Sequence, residues 1–466
     1  MKKGEMVHDV TSCSFFALYS WLQILVVKRE ATVHKIKKAF VIPVSMNYEK
    51  IYEVIKEHHR FYADSLPMIA SENITSKFVR RCYVSDLGHR YAEGKVGERY
   101  YQGCTFIDEI EEIALNLTEE LFNADHVNVQ PISGVVANTA AFFALTNPGD
   151  RVMAISVPCG GHISHDTVSS AGLRGLEVSY YPFDSQEFDI DIDATRKMAL
   201  NEKPRLFILG SSLILFPQPV KEIRDIAEEV GARVMYDASH VLGLIAGKRF
   251  QDPIKEGADV MTGSTHKTFF GPQRAIIVSR KEIADRIDRA VFPGIISNHH
   301  LNTLAGYAIA AMEMKLFGES YADQVIRNAK RLAERMHELG MSVVGENRGF
   351  TESHQVVADV RNYGGGSAVA EKLERAGIIL NKNLLPWDSL KDTENPSGIR
   401  LGVQELTRLG MKEGEMDEIA GIIHGVVSGS LTYSKARERV KELRNEFNTV
   451  KFTFQEHPAY EFYDLC

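Results

Sequence analysis

Cysteine is scarce: five in 466 residues (Cys13, Cys82, Cys104, Cys159 and Cys466), with no Cys-x-x-Cys pair. That spacing gives neither a disulfide framework nor a cysteine zinc site, so no metal is expected and a reducing cytoplasm is the natural setting. Excess positive charge is missing too. A formal net charge of −8 argues against nucleic acid as a partner. The chain has no internal repeat, no low-complexity tract and no run of like charge long enough to form a tail. With hydrophobic residues at 44% and charged residues at 25%, it can bury the cores of two domains, as a large soluble enzyme would.

Long apolar runs are also lacking, with one exception. Thr11 to Val27 is apolar between Lys2/Lys3 and a basic stretch from Lys28 to Lys38, but it is short for a spanning helix and is interrupted by Ser20 and Gln23. A signal or anchor, a membrane-surface helix, and sequence upstream of a true start at Met46 all remain open. The last is favoured, because Met46-Asn-Tyr-Glu-Lys50 opens a charged, helix-patterned stretch. Residues 1–45 are therefore expected to be a loosely ordered extension without stable membrane insertion.

Beyond it, strands and helices alternate. Helical periodicity over Phe106–Phe122 precedes a short strand in Val127–Pro131, and Gly134–Leu145 reads as a helix ending at Asn147-Pro-Gly-Asp150. Strands are expected at Arg151–Ser156, Glu177–Tyr181, Arg205–Leu209, Arg233–Tyr236, Val260–Thr262 and Ala275–Ser279. Such alternation predicts an α/β fold with a mostly parallel seven-stranded sheet covered on both faces. A long helical region, Leu301–Leu339, hands over to a smaller α+β piece. The expected divisions are an arm at 46–75, a large domain at 76–320, a small domain at 321–427 and a helical tail at 428–466.

Chemistry concentrates at two strand ends. In Met261-Thr-Gly-Ser-Thr-His-Lys-Thr-Phe-Phe-Gly-Pro272, Lys267 follows His266 in a run of small residues between an apolar strand and a Gly-Pro break. A lysine attacks a carbonyl only when neutral, and burial or a neighbouring cation makes it so. An ordinary solvated lysine would read the same locally. The tie is broken by Gly231-Ala-Arg-Val-Met-Tyr-Asp-Ala-Ser-His240, whose strand ends in Asp237, with His240 three residues on. Ligands of open α/β sheets sit at the carboxyl ends of strands, and a carboxylate there keeps a pyridine nitrogen protonated. Together the two segments suggest a Schiff-base site for pyridoxal phosphate. Ser133-Gly134 opens a helix after a strand, which suits a phosphate, although a plain helix cap fits equally well.

Several long motifs, in order, then resemble one family. They are Ile69-Ala-Ser-Glu-Asn73, Arg90-Tyr-Ala-Glu-Gly94 with Tyr100-Tyr-Gln-Gly103, Asn128-Val-Gln-Pro131 with Ser133-Gly134, Gly160-Gly-His162, and the Asp237 and Lys267 segments. Phe292-Pro-Gly294, Asn381-Lys-Asn383 and Ser397-Gly-Ile-Arg-Leu-Gly402 complete the set. From about Asn47 to Val427 the chain resembles serine hydroxymethyltransferase, most closely the archaeal type. The resemblance implies a fold-type-I pyridoxal-phosphate enzyme, active as a homodimer or a dimer of dimers with sites at the subunit interface. It would interconvert serine and glycine and pass the one-carbon unit to tetrahydromethanopterin or tetrahydrofolate.

The same resemblance assigns roles. Lys267 would carry the cofactor, Asp237 would face its ring nitrogen, and His162 would stack on the ring. Ser133, Gly134, Val135, Ser264 and His266 would surround the phosphate side, with Ser212 near the phenolic oxygen and His240 near the ring. The family usually has a hydroxyl where this chain has Val135, a valine the archaeal type shares, so backbone N–H groups would carry more of the phosphate. Arg400 would clamp the substrate carboxylate with its planar fork, helped by Ser71. Glu93 would transfer protons, on a loop reaching the partner's site, with Tyr91 near the phosphate and Tyr100 and Tyr101 lining the cleft. Asn383 would bond the pterin. Where the family usually has two glycines, this chain has Arg274-Ala275, which puts a large cation seven residues from Lys267, able to perturb it or crowd the interface. A threonine or α-methylserine aldolase would need the lysine, aspartate and arginine but not Asn383; a non-catalytic dimeric paralogue would need none of them.

Overall fold

A computed structural model describes residues 48–463. The apolar stretch at Thr11–Val27 and the proposed start at Met46 lie outside the described residues. Among the described residues no helix is long and apolar enough to cross a membrane. The chain divides into units at Met1–His58 and His59–Cys466. The helix Tyr48–Ala63 begins in the first; everything below concerns the second.

Seven strands form the main sheet. They are β1 His126–Asn128, β2 Arg151–Ala154, β3 Glu177–Tyr180, β4 Leu206–Leu209, β5 Arg233–Asp237, β6 Val260–Ser264 and β7 Ala275–Ser279. Their spatial order is β1-β7-β6-β5-β4-β2-β3. All neighbouring pairs are parallel except those of β7, which runs against both β6 and β1. The central strands are buried along their whole length, which explains their unbroken apolar character: a sheet covered on both faces has no polar side to alternate.

Two layers cover it. On one face the helix Gly134–Leu145 (α2, following α1, Thr105–Phe122) buries Ala137, Ala140, Ala141, Ala144 and Phe142; the small alanines let its backbone lie close to the strands. On the other, the helix Leu301–Glu338 (α3) packs Leu304, Tyr307, Ala311 and Met314 into the larger core. Truncating one of its buried leucines to alanine would cost about 2–5 kcal/mol. Four further strands form the antiparallel small sheet: β8 Ser342–Val343, β9 Gln355–Asp359, β10 Asn381–Asn383 and β11 Gly398–Gly402, in the order β8-β9-β11-β10. The tail carries a helix at Tyr433–Glu446.

Register places the chemistry. Asp237, the last residue of β5, sits beside Thr262 of β6. Both strands end on the same edge of the sheet, facing the N-terminus of α2. Ser264 closes β6 itself, two residues beyond the expected strand end at Thr262, because β6 stays paired with β7 as far as Ser264↔Ala275.

Candidate active site

Lys267 lies in the loop between β6 and β7, and that loop is tied at every side. Thr265 N donates to Arg274 O (3.0 Å) and its Oγ1 to Pro272 O (2.6 Å), while Thr268 Oγ1 donates to His240 O (2.8 Å). The fully buried rings of Phe269 and Phe270 then anchor the segment on Tyr307 and Tyr321 of α3, at centroid distances of 5.7 and 5.0 Å. Asn73 grips the lysine's own carbonyl at 2.7 Å. Lys267 itself is 8% exposed. Burial lowers its pKa; Asp237 pulls it back up and Arg400 pushes it further down, leaving it at about 8. Among the described residues its ammonium has no hydrogen bond or ion pair. A lysine held so, near its point of neutrality, is prepared to attack an aldehyde.

Asp237 is the counterpart. Asn138 Nδ2 donates to its Oδ2 at 2.7 Å, Ser239 N to its Oδ1 at 2.9 Å, and His165 Nε2 stands 3.3 Å away. Burial opposes the charge, but His165, His162 and Ser239 outweigh it and hold the carboxyl well below the usual carboxylate range. His162 Nδ1 accepts from Ser164 N (3.2 Å), and its ring meets that of His165 at 5.8 Å and 63°. Burial lowers the His162 pKa to about 4, so the ring is neutral. His240 stacks on His354, with centroids 5.5 Å apart and planes 19° apart, and Gln355 Nε2 lies 2.9 Å from its Nδ1. His266 is neutral as well, lowered to about 4 by burial and then by Lys267.

The end of α2 makes a cradle. Ser133 caps the helix by accepting from Val136 N at 3.3 Å. Ser264 N and Oγ both reach Ser239 Oγ, at 3.1 and 3.2 Å. A Cβ added to Gly134 would collide with Ser264 Oγ and stand 3.3 Å from Ser239 Oγ, so two hydroxyls crowd the free N–H groups of the helix start. Val135 flanks them, exposed. Donors, dipole and hydroxyls together suit a phosphate.

Arg400, in β11, is buried without a carboxylate partner among the described residues. Its Nη1 donates to Ser212 O, its Nε to Asn381 Oδ1 at 3.2 Å, and burial alone brings it down to about 10. A guanidinium in this state seeks an anion. Asn381 was missed as its partner, although β10 pairs Asn381 with Arg400 directly. Asn383, two residues on along β10, donates to Leu384 O (2.7 Å). Ser71 is half-buried in the segment fixed by Asn73 and by Gln404, whose Nε2 donates to Ile69 O (2.8 Å) and Glu72 O (2.6 Å).

Glu93, Tyr91, Tyr100 and Tyr101 stand apart. Tyr91 packs edge-on against Tyr101 (5.2 Å), Tyr100 tilts on Phe292 (5.7 Å), and the three tyrosines are exposed. Among the described residues no hydrogen bond, ion pair or ring contact joins them or Glu93 to the Lys267 centre. Arg274 also differs from expectation. It turns away from Lys267, and its guanidinium is spent on Val129 O, His300 O and Thr303 Oγ1.

The serine hydroxymethyltransferase profile matches residues 44–423. The chain belongs to the serine hydroxymethyltransferase family. A serine hydroxymethyltransferase of Archaeoglobus fulgidus is 67% identical over 420 residues, covering 90% of this chain and 96% of that one. That of Methanothermobacter marburgensis is 54% identical over 417 residues, covering 90% and 98%. A solved L-threonine transaldolase of Pseudomonas fluorescens superimposes with a TM-score of 0.80 at 30% identity, covering 87% of this chain and 93% of that one. The fold is that of the fold-type-I pyridoxal-phosphate enzymes.

Sequence reasoning overlooked Asn138, His165 and Ser239, which hold Asp237. The signal was helical spacing: Asn138 lies one turn beyond Gly134, on the face toward the sheet. Donor atoms of His162, His165 and Asp237 fall within 4.8 Å of one another, a spacing a metal ion could bridge, which a search for sequence-adjacent ligands does not see.

Proposed function

We propose that this protein interconverts serine and glycine and transfers the one-carbon unit to a reduced pterin. The observation that carries the reading is a pair of buried cations, Lys267 and Arg400, left without carboxylate partners beside an ionised, fully bonded Asp237. That centre fits pyridoxal phosphate: Lys267 for the aldehyde, Asp237 for the ring nitrogen, His162 against the ring, and Ser133, Gly134, Val135, Ser239 and Ser264 for the phosphate. Ser212, His240 and His266 complete its surroundings. When bound, the cofactor supplies the sink for the electron pair released at the substrate's Cα.

The chain's residues do the rest. Arg400 binds the serine carboxylate with two parallel hydrogen bonds, with Ser71 beside it, and so sets which Cα bond lies perpendicular to the ring. Asp237, held ionised by Asn138, Ser239 and His165, keeps the ring nitrogen protonated. Glu93 takes the hydroxyl proton of serine as the Cα–Cβ bond breaks. Its loop carries it out of its own centre, so the site is completed by the Glu93, Tyr91, Tyr100 and Tyr101 of a second copy, in a homodimer or a dimer of such dimers. Asn383, on the same strand as Arg400's partner Asn381, bonds the pterin. The one-carbon acceptor is tetrahydromethanopterin or tetrahydrofolate. Free Cys82, Cys104 and Cys159 suit the cytoplasm.

The solved transaldolase keeps a second reading in play, an aldolase-type enzyme acting without pterin. Serine cleavage measured with and without tetrahydromethanopterin or tetrahydrofolate separates them. Pterin-dependent turnover is expected; equal turnover without either pterin would overturn the reading in favour of the aldolase.

A further inference from the structure

The loop that bears Glu93 has little structure of its own. Its hairpin is two residues on each side, Gly94–Lys95 against Glu98–Arg99, and Gly94 sits at φ +101°. What fixes it is a buried polar network. Arg99 Nη1 donates to Gly94 O (2.6 Å) and Ala92 O (3.3 Å), and Gln130 Nε2 donates to Gly94 O (3.0 Å). The carbonyls on both sides of Glu93 are therefore held. Arg99 and Gln130 are in turn fixed by Glu111, at 2.6 and 2.8 Å, and Arg99 also by Asp108 at 2.7 Å.

Arg274 completes this network from the other side. Its carbonyl closes the Lys267 loop through Thr265 N, while its side chain, 1% exposed, runs the opposite way. Nη2 donates to Val129 O (2.6 Å), next to Gln130, and lies 3.3 Å from His299 Nδ1. His299 Nε2 is 3.5 Å from Glu111. Two guanidiniums, Arg99 and Arg274, thus balance two carboxylates, Glu111 and Asp108. Burial and Arg274 keep His299 neutral against the pull of Glu111. Buried ion pairs often add little net stability over apolar residues of similar volume, so this cluster is read for the positions it fixes.

We propose that Arg274 is a positioning residue for the Glu93 loop and acts on the neighbouring subunit's site, not on its own Lys267. The proposal rests on the composite site described above. Arg274 reaches the loop through its neighbours: its hydrogen bonds to Val129 O, His300 O and Thr303 Oγ1 fix the backbone beside Gln130, whose Nε2 holds Gly94 O, and it sets His299 beside Glu111. Displacement of a proton-transfer group by about 1 Å costs up to about a hundredfold in rate.

The test uses full-length chains co-expressed with two affinity tags. The Arg274→Met homodimer should lose about ten- to hundredfold in kcat, with KM for serine and the visible absorbance of the bound cofactor unchanged. In a hybrid of Arg274→Met with Lys267→Ala, the one intact lysine belongs to the Arg274→Met chain and meets a Glu93 loop whose own Arg274 is present. Near wild-type turnover per intact lysine is expected there. Turnover no better than the Arg274→Met homodimer would place the effect in its own site and overturn the proposal. A control hybrid, Lys267→Ala with Glu93→Gln, separates the two claims: if it stays inactive, the shared site itself is wrong. Gln130→Leu, which removes no charge, covers the case in which Arg274→Met fails to fold. It should lower kcat and be rescued in the same hybrid, and an unchanged kcat would equally overturn the proposal.

Discussion

The Lys267 centre and the Glu93 loop carry equally distinctive motifs, yet one is sealed and the other displayed. Lys267 is 8% exposed and Arg400 7%, whereas Tyr100 is 73% exposed and Tyr91 and Tyr101 each 46%. The sealed region needs its burial: a low-dielectric setting brings the Lys267 amine to about 8 and leaves Arg400 in want of an anion. The displayed region has no use for burial within its own chain. Large aromatic surface held out by a network as costly as Arg99–Glu111–Arg274 makes sense if a second copy covers it. On the proposed function, the contrast separates the part of the site that one chain would build alone from the part it would lend to a neighbour.

Substitutions should respect that division. The largest effect is expected from Lys267→Ala, which should abolish the visible absorbance of the purified protein and lower turnover by more than about a thousandfold. Glu93→Gln should cost about a hundred- to ten-thousandfold in kcat while leaving that absorbance intact. Such a split between loading and turnover is what two separate regions require. Arg400→Met should raise KM for serine by roughly a hundredfold, about 3 kcal/mol of binding. It should also act on the lysine. Cofactor uptake by the apoprotein should rise with pH through about 8, where Lys267 becomes neutral. Since Arg400 lowers that pKa and Asp237 raises it, Arg400→Met should move the midpoint up and Asp237→Asn should move it down.

The smallest expected effect lies outside both regions. Glu405 is buried, its Oε1 accepting from Tyr460 OH, and burial with a contribution from Glu72 raises its pKa to about 7. A carboxyl whose folded pKa exceeds its unfolded value loses stability as pH rises from about 4.5 through 7. Glu405→Gln should therefore stabilise the protein at pH 8, by roughly 2 kcal/mol, and leave the melting temperature at pH 4 unchanged; a denaturation series across that range decides it.

Much of this was legible in the chain. The helix Gly134–Leu145 and the strand Ala275–Ser279 have the bounds that periodicity and turn residues gave them, and Asp237 and Lys267 sit where strand ends place chemistry. The lost details are partnerships across distance. Asn138 meets Asp237 across 99 residues and Arg274 meets Val129 across 145, and no local pattern announces either. Arg274 misled for a related reason: nearness to Lys267 in sequence says nothing of direction, and the tight loop from Thr265 to Arg274 points the two side chains apart.

The division of labour itself is open to one direct measurement. Lys267→Ala and Glu93→Gln chains, each inactive as a homodimer, are co-expressed, and the purified hybrid is assayed for serine cleavage with tetrahydromethanopterin. Each hybrid dimer holds one site with an intact lysine from one chain and an intact glutamate from the other, so about half of wild-type turnover should return. A hybrid as inactive as its parents would show that Glu93 serves its own chain's centre.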